Sequence, residues 1–144
     1  MRYFAYGSNM NHDQMRYRCP SATFLGRAML HDYRLVFDGF SIRWFGGVAN
    51  VIPSTGSHVW GGLYEINSEC VAALDKYEGH PIAYTRQLVS VTTSSGVSYN
   101  TICYMRSSLK PRKPGVRYFN VVRQGALDCG LPKWYVSNVV RVCE

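Results

Sequence analysis

The 144-residue sequence lacks any apolar run long enough to cross a membrane, since a spanning helix needs roughly 18 predominantly apolar residues in succession. Residues 1–10 also lack the apolar core of a secretory signal peptide. We therefore expect a protein that does not act at a membrane and that stays in the cytoplasm.

Cysteine is sparse, with five residues at positions 19, 70, 103, 129 and 143. Their number is odd, no CxxC pair occurs, and no histidine lies nearby at metal-ligand spacing. This pattern predicts reduced thiols that pack as small core residues. It predicts no metal site.

Acidic residues are also few, because 9 Asp plus Glu stand against 16 Lys plus Arg, for a net charge of +7. Such a balance suits nucleic acid, a membrane surface or an anionic small substrate. No aromatic and basic motif of the RRM, KH or zinc-knuckle kind is present, so no nucleic-acid partner is expected. With 47% hydrophobic residues, the length fits one domain over residues 1–144.

Short apolar and aromatic runs, punctuated by Gly, Pro, Asp and Ser, predict strands. They lie at residues 2–6, 24–30, 33–37, 47–52, 58–66, 84–91 and 99–105. Apolar residues at helical spacing predict helices over 11–18, over 67–78 and through 119–126 to about 130, with another short helix opening at Pro132. We predict an α+β fold in which helices flank a mixed, curved or barrel-like sheet.

The first candidate site is Tyr6-Gly7-Ser8-Asn9, a glycine-containing turn between a predicted strand and helix. Backbone NH groups at such a turn can face one anionic oxygen, so it is able to hold a carboxylate or an oxyanion. The alternative is an ordinary turn in which Ser8 or Asn9 caps the helix.

The second candidate is Glu78, in the last turn of a predicted helix and just before Gly79. A carboxylate there sits near the negative end of the helix dipole, and burial adds to the effect, so its pKa should rise towards the value that a general base needs. The alternative is a solvated surface glutamate.

Two further candidates follow in the last third of the chain. Tyr118, at the start of the late helix, can lie over a ligand or serve as a core tyrosine. The loop before it carries Lys110, Arg112, Lys113 and Arg117. We expect this basic loop to bind an anionic part of a substrate, although such runs are often only solvated.

Together these blocks resemble the γ-glutamylcyclotransferase superfamily, which includes AIG2-like proteins. The matching blocks are residues 4–10 (FAYGSNM), 49–53 (ANVIP), 59–65 (VWGGLYE), 74–79 (LDKYEG) with 84–86 (YTR), and 118–132. They occur in family order. One departure is visible, since members often carry Pro-Ser-x-x-Tyr where residues 114–118 read PGVRY. The missing serine removes a helix cap and bears on substrate preference.

The resemblance implies a cofactor-independent enzyme that converts a γ-glutamyl amide or γ-glutamyl amino acid into 5-oxoproline and a free amine. The α-amine of the donor attacks its own side-chain carbonyl, and Glu78 transfers the protons. The resemblance also implies a set of residues that line the pocket for the small γ-glutamyl substrate, namely Tyr6, Gly7, Ser8, Asn9, Tyr84 and Tyr118.

Other functions remain open at this stage. A relative on the same fold can remove a γ-glutamyl protecting group from an amine in a biosynthetic pathway. A non-catalytic ligand-binding or RNA-binding protein is a third reading, suggested by the net charge. The sequence leaves the identity of the donor and the oligomeric state undetermined.

Overall fold

The β-branched and aromatic runs of the sequence form five strands, which close into a barrel in the computed structural model of residues 1–143. The strands are β1 (Arg2–Ala5), β2 (Thr23–Ser41), β3 (Gly46–Glu65), β4 (Thr85–Thr93) and β5 (Ser98–Met105). The helices are α1 (His12–Arg18), α2 (Ser68–Glu78), α3 (Val116–Asp128) and α4 (Lys133–Cys143), and a single 3-10 turn (Ser8–Met10) precedes α1.

The strand order around the barrel is β1-β3-β2-β4-β5. Parallel pairing of Tyr3 on β1 with Ile102 on β5 closes it, while the other neighbouring strands are antiparallel. The predicted α+β fold with a mixed, barrel-like sheet is therefore confirmed.

The strands predicted separately at 24–30 and 33–37 are one strand, β2, and those predicted at 47–52 and 58–66 are likewise one strand, β3. The cause is a bulge in which Asp32 adopts a left-handed conformation with φ of 64°. Its side-chain Oδ1 accepts a hydrogen bond of 2.9 Å from the NH of Gly56 on the facing strand. The polar residues there mark a bend within a continuous hairpin, not the end of a strand.

Helix α2 has a clear signal at each end. The Asn67 side chain accepts a hydrogen bond of 3.0 Å from the NH of Cys70, and Gly79 ends the helix in the left-handed conformation. Cys70 and Leu74 face the core. The prediction that Glu78 lies in the closing turn is confirmed. Helix α1 is capped by Asn11 and not by Ser8 or Asn9, the caps considered in the alternative interpretation of that turn.

The core fills the barrel, where Phe4, Val59 and Val91 are fully buried. Helix α3 packs closely over the turn after β1, since a Cβ added at Gly125 would lie 2.5 Å from the backbone nitrogen of Asn11. That contact fixes the turn against the barrel.

The cysteines whose side chains are described are reduced core residues, as the sequence predicts. Those at positions 19, 70, 103 and 129 are free and buried, whereas the side chain of Cys143 lies outside the described part. No helix within residues 1–143 has the length and apolar character needed to span a membrane.

Candidate active site

One end of the barrel opens into a cavity of about 710 Å³. The final residues of β2 and β5, the first residues of β3 and β4, and the turn after β1 line it. The catalytic residue and the pocket residues that the family resemblance implies all lie on this lining: Tyr6, Gly7, Ser8, Asn9, Glu78, Tyr84 and Tyr118. The structure thus brings these residues together, although they are far apart in sequence.

The turn after β1 is held from several sides. The Tyr6 hydroxyl donates a hydrogen bond of 2.5 Å to the carbonyl of Tyr104 on β5. The buried Asn9 side chain donates to the Tyr3 hydroxyl at 3.0 Å and accepts from the Arg18 guanidinium at 3.1 Å. Because the turn is fixed by buried polar contacts, its backbone is preorganised.

Tyr84 and Tyr118 both lie on the cavity wall, and both form hydrogen bonds with the backbone of Ala49. The Tyr84 hydroxyl donates to the Ala49 carbonyl at 2.7 Å, and the Tyr118 hydroxyl accepts from the Ala49 NH at 2.9 Å. A Cβ added at Gly7 would lie 3.3 Å from the Tyr118 hydroxyl and 3.2 Å from the Ala49 side chain. Tyr118 is therefore both a buried residue and part of the pocket, so the two readings of it are compatible.

Glu78 is half-buried, but the groups around it exclude much of the water from its carboxyl. This desolvation raises the pKa of Glu78 from the ordinary 4.5 to about 7, against the opposing charges of Arg18, Arg106 and Arg43. The predicted direction is confirmed, with burial as the main cause. At neutral pH such a group can both accept and donate a proton.

Three arginines on the cavity lining were not predicted from the sequence as site residues. Arg18 ends α1, Arg43 lies in the turn between β2 and β3, and Arg106 follows β5. The Arg106 guanidinium pairs with the buried carboxylate of Asp38 and lies 4.3 Å from the centre of the Tyr84 ring. No run of charge in the sequence pointed to these three residues, because only the fold brings them together.

The basic loop is placed differently from our expectation. None of its four cations lies on the cavity lining. They are Lys110, Arg112, Lys113 and Arg117. Two of them instead cover aromatic residues of the cavity wall, Arg112 over Phe40 at 4.5 Å and Arg117 over Trp44 at 4.4 Å. The basic loop therefore packs against the cavity wall and does not line the cavity.

The arrangement combines a carboxyl with a raised pKa, a rigid turn and an excess of positive charge in one cavity. Among the side chains that the structure describes, no group of three or more His, Cys, Asp or Glu is placed to hold a metal ion. The residues that are present suit proton transfer on a small anionic substrate.

Comparison with known proteins identifies the group to which this chain belongs. The sequence profile of the family "Gamma-glutamyl cyclotransferase, AIG2-like" matches residues 3–120. The chain belongs to this family. The chain is 35% identical to the γ-glutamylcyclotransferase of Mus musculus over 142 residues, which are 95% of this chain and 76% of the mouse protein. The superfamily predicted from the sequence, and with it the γ-glutamylcyclotransferase type of enzyme, is confirmed.

Relatives in other species and among solved structures agree. The γ-glutamylcyclotransferase of Homo sapiens is 33% identical over 95% of this chain and 76% of its own length. A solved structure titled "Gamma-glutamyl cyclotransferase" superposes with a TM-score of 0.92 at 31% identity, covering 97% of this chain and 86% of that one. The family fold thus extends over nearly the whole chain.

The departure from the family pattern at Gly115 has a steric cause in this γ-glutamylcyclotransferase relative. Gly115 precedes α3 and supplies no side-chain cap. A Cβ added there would lie 2.6 Å from the carbonyl oxygen of Trp44 and 3.0 Å from that of Phe45. A serine at this position would therefore push away the turn between β2 and β3, which forms part of the cavity wall.

Proposed function

We propose that this protein converts a γ-glutamyl amide or γ-glutamyl amino acid into 5-oxoproline and a free amine, with Glu78 as the acid and base. The donor lies with its γ-glutamyl group against the turn at residues 6–9. In the folded conformer its α-amine reaches the γ-carbonyl carbon, so binding supplies much of the advantage of proximity.

The reaction balances without any other reactant. The α-nitrogen forms a bond to the γ-carbonyl carbon, and Glu78 takes the proton that this nitrogen loses. The bond from that carbon to the departing nitrogen then breaks, and Glu78 returns the proton to the departing amine. No water is consumed.

Backbone NH groups of Ser8 and Asn9 serve as donors for the oxyanion or for the α-carboxylate. The first NH groups of a helical turn have no partner within that turn, and Ser8 and Asn9 begin the 3-10 turn. Tyr84 and Tyr118 form the wall against which the donor packs. This assignment of Tyr6, Gly7 and the other lining residues rests on their shared cavity and on the family resemblance.

The single observation that carries the proposal is the Glu78 carboxyl, with a pKa of about 7, on the same cavity as the turn. The test is release of 5-oxoproline from γ-glutamyl dipeptides, followed by chromatography. An N-acetyl-γ-glutamyl donor must be inert, because its nitrogen can no longer attack. Release of glutamate in place of 5-oxoproline would overturn the cyclisation.

The same assay separates the alternatives. A protein that removes γ-glutamyl protecting groups would prefer donors with an amine as leaving group over γ-glutamyl amino acids. A non-catalytic binding protein would release nothing from any donor, and an RNA-binding protein would retard RNA in a gel at physiological salt.

We also propose that the protein acts in the cytoplasm on a small molecule and without a nucleic-acid partner. The buried, unpaired thiols at positions 19, 70, 103 and 129 support a reducing compartment. Fractionation of the native cells, with detection by antibody, tests the location.

A further inference from the structure

The cavity has an inner and an outer part that differ in exposure. The inner part is buried, with Tyr6 at 7%, Asn9 at 3% and Tyr118 at 4% exposure. A γ-glutamyl group fills only a fraction of about 710 Å³, a volume typical of sites for larger ligands. The remaining space lies towards the mouth.

The outer part carries large apolar side chains that are about half exposed or more. Ile82 is 92% exposed, Leu109 49% and Phe40 47%, and all three lie on the cavity lining. Apolar side chains grouped at the mouth of a pocket are typical of a binding surface. The outer part therefore suits an apolar group of the ligand.

Arg43 also lies on the cavity lining and is exposed. Its guanidinium lies 5.2 Å from the centre of the Tyr77 ring, and it forms no ion pair with any described residue. Among the charged residues on the lining, Glu78 is the one anion, against four cations: Arg18, Arg43, Lys76 and Arg106. The cavity therefore favours a ligand with net negative charge.

The turn that carries Arg43 is firmly held. The Arg117 guanidinium donates to the Arg43 carbonyl at 2.5 Å, and the NH of Gly47 donates to the Lys113 carbonyl at 2.9 Å. A Cβ added at Gly47 would lie 2.1 Å from the Arg112 carbonyl oxygen. Because the turn is packed this closely on the basic loop, Arg43 is presented from a fixed backbone.

We infer that the outer part of the cavity is a subsite for the leaving group, and that it selects an amino acid with a large apolar side chain. Arg43 binds the carboxylate of this amino acid, and Ile82, with Phe40 and Leu109, packs on its side chain. The inference rests on the proposed function, since it assigns the leaving group of that reaction. It makes Arg43 and Ile82 determinants of specificity.

Three donors separate the two contacts. γ-Glutamyl-leucine has both the carboxylate and the side chain, γ-glutamyl-leucinamide lacks only the charge, and γ-glutamyl-glycine lacks only the side chain. We expect kcat/KM for γ-glutamyl-leucine to exceed that for the amide by about fivefold. We expect it to exceed that for the glycine donor by about tenfold.

Each variant should remove one preference and keep the other. Arg43→Gln brings the ratio of leucine donor to leucinamide donor close to one but leaves the ratio to the glycine donor intact. Ile82→Ala does the reverse. The matched controls are Arg123→Gln and Leu127→Ala, both exposed on α3 and outside the cavity lining, and they should change neither ratio.

The outcomes distinguish this inference from the proposed function. If 5-oxoproline is released but Arg43→Gln lowers kcat/KM equally for both leucine donors, or Ile82→Ala leaves the preference over glycine unchanged, the subsite is refuted. If no donor yields 5-oxoproline, the proposed function fails. In that case the affinities of the three donors are compared by isothermal titration calorimetry. Equal Kd values for all three would refute the subsite as well.

Discussion

Replacement of Glu78 by glutamine removes the proton-accepting group and keeps the shape of the side chain. General acid and base catalysis contributes about a hundredfold to ten-thousandfold to a rate. We expect kcat to fall by a factor in this range, because both proton transfers pass through one carboxyl. The surrounding donors and apolar walls remain, so KM for the donor should change little.

The same replacement should make the fold more stable above neutral pH. Burial raises the pKa of Glu78 from 4.5 to about 7, so between these values the folded state keeps a proton that the unfolded state has lost. Stability therefore falls as the pH rises through this interval, by about 1.4 kcal/mol per pH unit and about 3 kcal/mol in total. This total is an upper value, since Glu78 is half-buried and water enters the cavity.

Two measurements test this reasoning. The pH profile of kcat/KM for the native protein should rise tenfold per pH unit and level off near 7, the pKa of Glu78 in the free protein. Urea unfolding should show Glu78→Gln equal to the native protein at pH 4 and more stable at pH 8. Glu65→Gln is the control, because Glu65 is exposed and pairs with the terminal amine of Met1.

Retention of most of the activity in Glu78→Gln, or loss of activity in Glu65→Gln, would refute the assignment. A Glu78→Gln protein that is less stable than the native one at pH 8 would show that the Glu78 carboxylate stabilises the fold.

Two further replacements test the supports of the site by urea unfolding. Asp38→Asn should cost about 3 kcal/mol, because it leaves the buried guanidinium of Arg106 without its carboxylate, whereas the exposed Asp13→Asn control should cost less than about 1 kcal/mol. Equal losses would refute the buried pair. Asp75→Asn should cost about 1–2 kcal/mol at pH 7. Against the opposing effect of partial burial, hydrogen bonds from Tyr104 and Arg86 lower the pKa of Asp75, so this loss should vanish as the pH falls through that pKa. A loss independent of pH would contradict it.

The position of Glu78 was predictable because its signals are local. Asn67 caps α2, and Gly79 ends it with a left-handed backbone, and both residue types favour these positions for steric and hydrogen-bonding reasons. Apolar residues at helical spacing between these two residues predict the helix, and Glu78 then falls in its last turn.

The long hairpin of β2 and β3 was not predictable in the same way. Asp32 and Gly56 are typical turn residues, so the sequence there indicates chain reversal. The hydrogen bond between them joins two strands that are already paired on both sides of the bulge. Because that contact depends on tertiary pairing, residue types alone cannot distinguish a bulge from a loop.

The two groups of cations have different roles because they lie on different sides of one wall. Arg18, Arg43 and Arg106 come from the ends of separate elements, and barrel closure brings their charges to the cavity. The four cations of residues 110–117 attracted attention in the sequence because they lie close together along the chain. In the fold, however, Arg117 binds the carbonyl of Arg43 and stacks on Trp44, so it orients the turn. Closeness in sequence therefore identified the cations that support the cavity wall. The arginines that line the cavity come together only through the topology of the fold.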